Sequence, residues 1–338
     1  MYSDEQLKEI EEMGISIDKK TRKFKYFSPN KFVSYIVRHS FLIYNKKEFY
    51  VYKNNKWIKR DEEQILKKLR DTLHKYFSEI WNLKREKEYF EGLKRTILYI
   101  GELNSNKRYI NLLNGMYDVD TFNLVPHSPE FYSTIQIPIE YDENAECPRF
   151  MKFIDQCFPG DEESKFLSQE WAGYLMTAET KAQKALMLCG SGANGKGVFI
   201  DSISFCIGQE NISSVPLNEL HKGFSRVCLH NKLANISNEN ECNGSSFNTQ
   251  YFKAIVGEDF ITAEQKNKPV FEFKATAKIV SSTNNLPFTK DATYAFTRRL
   301  SILDFPVKRQ ITTNLNIILF LLLVGTVRQI IPVKSPYQ

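Results

Sequence analysis

The residues most suited to chemistry lie in the stretch ALMLCGSGANGKGVFIDSISFCIG. An apolar run, Ala185 to Cys189, reads as a short buried strand. Gly190, Ser191, Gly192, Ala193, Asn194, Gly195 and Lys196 follow, and Val198 to Ile207 reads as a helix. The spacing G-x-x-x-x-G-K between strand and helix is the Walker A pattern. Its glycines let backbone N–H groups turn inward around phosphate oxygens, and the helix N-terminus adds partial positive charge. Lys196 would reach the β- and γ-phosphates as a point charge. Residues 190–198, Gly190 through Gly197 and Val198, are therefore the candidate nucleotide site. One position departs from the pattern: where a Ser or Thr would hold Mg²⁺, this chain has Gly197. Metal binding must then rely on acidic residues and water.

Three further segments carry candidate groups. Lys232 to Glu241 ends a weakly apolar strand with Glu239 and Glu241, where open α/β sheets place their ligands. A carboxylate there can orient the Mg²⁺ shell or an attacking water, which makes Glu239 a catalytic candidate and both glutamates metal candidates. Ala277 to Pro287 is a second strand ending in Asn284 and Asn285. An amide at that point can bond a γ-phosphate or water. It can equally be a turn before proline. Arg298 and Arg299 precede an apolar strand. They could form an ion-paired edge, or supply an arginine finger that stabilises transition-state charge in a neighbouring subunit.

These elements have to be positioned by a chain of 338 residues, long enough for two domains. Its 42% hydrophobic and 25% charged content suits a soluble, cytoplasmic globular protein. The net charge of +6 is compatible with nucleic acid but does not demand it. Six cysteines, at 147, 157, 189, 206, 228 and 242, form no Cys-x-x-Cys pair and are expected to be reduced thiols. The N-terminus lacks an apolar signal core.

Residues 1–100 read as an α+β, mainly helical region that could serve as a DNA-binding or accessory unit. Glu48–Tyr52 and Lys56–Lys59 form a hairpin around Asn54–Asn55, and Asp61 opens an amphipathic helix carrying Ile65, Leu66, Leu69, Leu73 and Phe77. Residues 101–180 hold short strands and then helices, with the boundary near 150–183. Residues 181–308 show the alternating texture of an α/β core. The tail, 309–338, is atypical. It holds the apolar run IILFLLLV at 317–324 and, beyond Gln310, only Arg328 and Lys334 as charges. It is too short and polar for a membrane helix.

The ordered segments GSGANGKG, ANISNENE, KAIVGEDFITAEQKNKPVFEFKATAKIVSSTNNLP and DATYAFTRRLSILDFP resemble the superfamily 3 helicases, in the branch of phage and plasmid primase-helicases and poxvirus-type helicases. The segment NLLNGMYDVDTFNLVPHSPEFYSTIQIPIEYDENAECPRF resembles the domain that precedes the motor in that family. The likeness spans roughly residues 100–308. It implies an AAA+-like P-loop NTPase core that uses ATP and Mg²⁺ and acts as a DNA-replication helicase. It also implies a homo-hexamer translocating on single-stranded DNA, with a primase as partner. It makes Lys196 the phosphate ligand, Glu239 the acid of the second motif, Asn284 the sensor amide in preference to Asn285, and Arg298 or Arg299 the finger. Lys266 and Lys268 would contact DNA phosphates.

Two other readings compete. A small-molecule kinase would normally keep the hydroxyl that Gly197 lacks. A catalytically impaired DNA-binding remnant would account for both Gly197 and the tail. The loss of charge after Gln310 suggests a truncation or frameshift. If so, the encoding DNA read in another frame beyond this point will show a charged helical continuation, and its absence there disproves the idea.

Overall fold

The structure, a computed structural model, describes residues 2–18, 20–237, 248–284, 291 and 293–307. The chain divides into two compact units. One comprises residues 1–105 with 128–134, and the other residues 106–127 with 135–338.

In the first unit, Leu42–Asn45, Glu48–Lys53 and Lys56–Arg60 form an antiparallel meander. Asn54 and Asn55 both take positive φ, 53° and 60°, as a two-residue hairpin turn requires. Lys46 and Lys47 do the same at 47° and 65°, which adds a strand that the sequence pattern did not suggest. Asp61 precedes the helix Glu62–His74, which buries Ile65, Leu69 and Leu73. These pack with Phe32, Phe49, Tyr89 and Leu93 from the strands and from helices Pro29–His39 and Leu83–Thr96.

The second unit is organised by a five-stranded parallel sheet. Its strands are β1 (Ala185–Cys189), β2 (Ile212–Ser213), β3 (Ala234–Ser237), β4 (Lys278–Thr283) and β5 (Leu300–Asp304), in spatial order β2-β3-β4-β1-β5. Parallel sheets are covered on both faces, and β1 shows how. Leu186 and Leu188 join a core with helices α1 (Pro148–Cys157), α2 (Glu162–Met176) and α3 (Lys196–Ile207). Ala185 and Met187, pointing the other way by the two-residue period of a strand, join Leu217, Leu229 and Phe273 and the helix α4 (Thr249–Val256). The sequence thus yields an α/β unit with a mainly parallel sheet, as its strand–helix alternation predicts.

The short strands and following helices expected within residues 101–180 are Tyr109–Leu112, Gly115–Asp118 and Asn123–Val125, then α1 and α2. Cys147, Cys157, Cys189, Cys206 and Cys228 are free thiols, whereas Cys242 and the 309–338 tail lie outside the described residues. Among the described residues no helix is long and apolar enough to cross a membrane.

At the start of β4, Lys278 is 3% exposed. Its ammonium donates to the Thr177 carbonyl and lies 5.3 Å from the centre of the Tyr174 ring. Burial pushes its pKa down to about 7, with Lys107 nearby acting in the same direction. Between about pH 7 and the ordinary lysine value of 10.5, the unfolded chain holds the extra proton, so this group's contribution to stability improves as pH rises through that window. Lys278→Met is expected to raise unfolding free energy at pH 7 by about 1–4 kcal/mol, with the difference shrinking toward pH 10. Urea denaturation of both proteins at the two pH values measures it.

Candidate functional site

The glycine loop leaves the C-terminal end of β1, which lies between β4 and β5, and enters α3 directly. Four of its residues have positive φ: Gly190 at 142°, Gly192 at 91°, Ala193 at 50° and Gly195 at 101°. Gly190 is required for two reasons. Its backbone is one that side chains rarely adopt, and a Cβ there would lie 2.1 Å from Asn194 Nδ2 and 2.7 Å from the Phe305 carbonyl oxygen. Gly195 is the N-cap of α3 and gives no side-chain bond to its first N–H groups, which stay available to an anion.

Asn194 and Lys196 hold the loop from within. Asn194 is 3% exposed, and its Nδ2 donates to the Phe305 carbonyl at 3.0 Å. The Phe305 N–H in turn donates to the Cys189 carbonyl at 2.9 Å. Lys196 is 7% exposed and donates to the Gly190 carbonyl. Burial lowers its pKa, partly opposed by Cys189 and Asp304. This buried ammonium has no carboxylate ion pair among the described residues. A loop of this shape with an inward lysine can hold phosphate oxygens. Ser191, Gly197 and Val198 complete it, and a Cβ added at Gly197 would meet nothing within 4 Å.

The other predicted residues separate into two groups by position. Asn284 follows Thr283, which pairs in register with Cys189, so it stands at the loop's end of the sheet. Glu239 and Glu241, beyond β3, and Asn285 lie outside the described residues. Arg298 and Arg299 are at the other end, where Leu300 pairs with Ala185 and the Arg299 carbonyl accepts from Ala185 N at 2.7 Å. The length of β1 puts that end on the order of 13 Å from the loop. The two arginines also differ. Arg299 donates to the Ala295 carbonyl, and its Nη2 would lie 2.9 Å from a Cβ at Gly257. Its Nε is buried without a hydrogen-bond partner, and its pKa is lowered first by burial and then by Arg298. Arg298 is exposed, and among the described residues its bonds are to Gln183 Oε1, at 3.3 Å. Asp291, joined to Lys253 at 2.7 Å and to Thr249, fixes the segment leading into both.

Lys266 and Lys268 are exposed at the tip of an antiparallel hairpin, Phe260–Ala263 with Phe271–Lys274. It is braced near that tip by Arg226, 3% exposed, which bonds the Thr262 carbonyl at 2.6 Å and the Leu220 and His221 carbonyls at 3.0 and 2.7 Å. That guanidinium also lies 3.9 Å from the centre of the Tyr251 ring.

Sequence reasoning missed Asp304, the last residue of β5, which pairs in register with Cys189 beside the loop. The signal was present, since a carboxylate ending an apolar strand is the same feature that singled out Glu239. Removing the Asn194 amide should release the loop from β5. Asn194→Ala is expected to destabilise the protein by about 1–3 kcal/mol, because it leaves the buried Phe305 carbonyl unpaired. Thermal and urea unfolding of the variant measure this.

Comparison with known proteins adds a fold and two regions of likeness. Residues 30–159 match a family model described as D5 N terminal like, and residues 188–299 match a family of unknown function (DUF5906). The apo structure of the NrS-1 C terminal region superposes with a TM-score of 0.62 at 15% identity, covering 92% of this chain and 70% of that one. The A form apo structure of the same region gives 0.60 at 15% identity, covering 90% and 69%. The chain therefore joins a D5 N terminal-like region to a region matching a family of unknown function, on a fold shared with the NrS-1 C terminal region.

Proposed function

We propose that this chain is the ATP-hydrolysing motor of a DNA helicase serving replication of phage, plasmid or other mobile DNA. The observation that carries the reading is the glycine loop between the interior strand β1 and α3, with buried Lys196 turned into it. The D5 N terminal-like match ahead of the loop supports it.

On this reading the α/β unit is a P-loop NTPase of the AAA+-like superfamily 3 type. Residues 190–198 cradle the phosphates of ATP, and Lys196 places its charge on the β- and γ-phosphates. Asn284 orients the γ-phosphate or the water, and Glu239 with Glu241 supplies the acid. Bound Mg²⁺ would neutralise phosphate charge and is held largely through water, since position 197 offers no hydroxyl. Arg298 is the finger. It lies at the far end of β5 from its own loop and is less committed than Arg299, so it serves the site of a neighbouring subunit in a homo-hexameric ring. Lys266 and Lys268 at the hairpin tip grip the backbone of single-stranded DNA. A separate primase is the implied replication partner.

Gly197 favours one second reading, a catalytically impaired protein that keeps DNA binding. ATP hydrolysis with and without single-stranded DNA separates the two. The motor is expected to show DNA-stimulated turnover that Lys196→Ala lowers by about a hundredfold or more. Binding to DNA with no turnover in the unaltered chain would instead establish the impaired form.

A further inference from the structure

We propose that Asp304 is the carboxylate that orders the hydrated divalent cation of the nucleotide site, in the part a hydroxyl after the lysine would otherwise play. The proposal rests on the reading of residues 190–198 as a nucleotide site.

A phosphate loop ending in Lys-Ser or Lys-Thr gives the cation one direct protein ligand. Here that position is Gly197, with open space where a side chain would begin. Among the described residues, no three His, Cys, Asp or Glu side chains cluster so as to hold a metal ion directly. Position 197 itself thus supplies no direct ligand, which fits a cation that keeps water at that place and is held there at second hand. Mg²⁺ suits this, because it retains several waters and commonly uses only one or two carboxylates beside the phosphates.

Asp304 is placed for that task by the backbone. It pairs in register with Cys189, the residue immediately before the loop. The next residue, Phe305, is tied both to the Cys189 carbonyl and to the Asn194 amide inside the loop. Strand alternation sends Leu303 and Phe305 into the core, where Phe305 lies against Phe158 and Phe199, and leaves Asp304 exposed on the opposite face. Its carboxylate forms no hydrogen bond or ion pair with any described residue, yet its charge acts on both Lys196 and Cys189. A free carboxylate at the C-terminal end of a parallel strand, held one residue from a phosphate loop, stands where ligands of such sheets gather. Outer-shell carboxylates of this kind orient metal-bound water.

The test uses the full chain and a fluorescent N-methylanthraniloyl ATP, titrated once with Mg²⁺ and once with EDTA. The unaltered protein is expected to bind more tightly with Mg²⁺. Asp304→Asn should lower that Mg²⁺-dependent gain by about tenfold. Its affinity in EDTA should not weaken, since a negative charge near the phosphates has been removed, and this also serves as the check on folding. Adding G197S to the Asp304→Asn protein should restore part of the gain by supplying a direct hydroxyl. An Asp304→Asn protein that keeps the whole gain, or that weakens equally in EDTA, overturns the proposal. If the unaltered chain binds the nucleotide in neither buffer, the nucleotide-site reading fails and takes this proposal with it.

Discussion

One buried amide links the loop to the sheet. Asn194 reaches from the turn of the loop to the Phe305 carbonyl, just past the end of β5. A loop with several residues in left-handed conformations has little reason to hold one shape by itself. Closing it against a neighbouring strand fixes its path, and the same contact explains why Gly190 can carry no side chain. The position of Lys196 then follows, because its backbone begins α3 at the point where the loop is pinned. Phe305 completes the arrangement by packing between Phe158 and Phe199, which couples the loop to the core beneath the sheet.

The sheet sorts the remaining candidates. Because all five strands run parallel, one edge collects their C-terminal ends and the other their starts. The loop, Asn284 and Asp304 gather at the first edge. Lys278 and the arginine pair sit at the second. The arginines are not idle surface groups there: one packs over Gly257, and the other meets Gln183.

Much of this was legible in the residues. The run Ala185–Cys189, the glycine spacing and the following helix are local signals, and all three appear where the spacing places them. The Asn54–Asn55 turn was equally plain, because asparagine tolerates positive φ. The turn at Lys46–Lys47 was not, since lysine carries no such preference and the turn is imposed by pairing of the flanking strands. The strand order was beyond reach as well, because periodicity says nothing about which strand lies next to which. That is why Asp304 passed unremarked: its nearness to the loop arises from β5 lying beside β1, more than a hundred residues away along the chain. The roles of Glu239 and Glu241 rest on the pattern of residues alone.

The Arg226 anchor has a mechanical consequence. The guanidinium ties the first strand of the hairpin to the 220–226 segment through neutral oxygens, and it does so at Thr262, beside the turn and not at the open end of the strands. The Glu264 N–H adds a bond to the Gly223 carbonyl at 3.2 Å just past the first strand. The hairpin is therefore braced close to its tip, and the exposed run that carries the lysines projects a short way beyond the brace. Shifts in the packing around Tyr251 and Thr262 pass to the turn with little leverage in between. A brace made of directional hydrogen bonds, with no ion pair among them, also keeps its stiffness as ionic strength rises, so the tip would respond to packing far more than to salt.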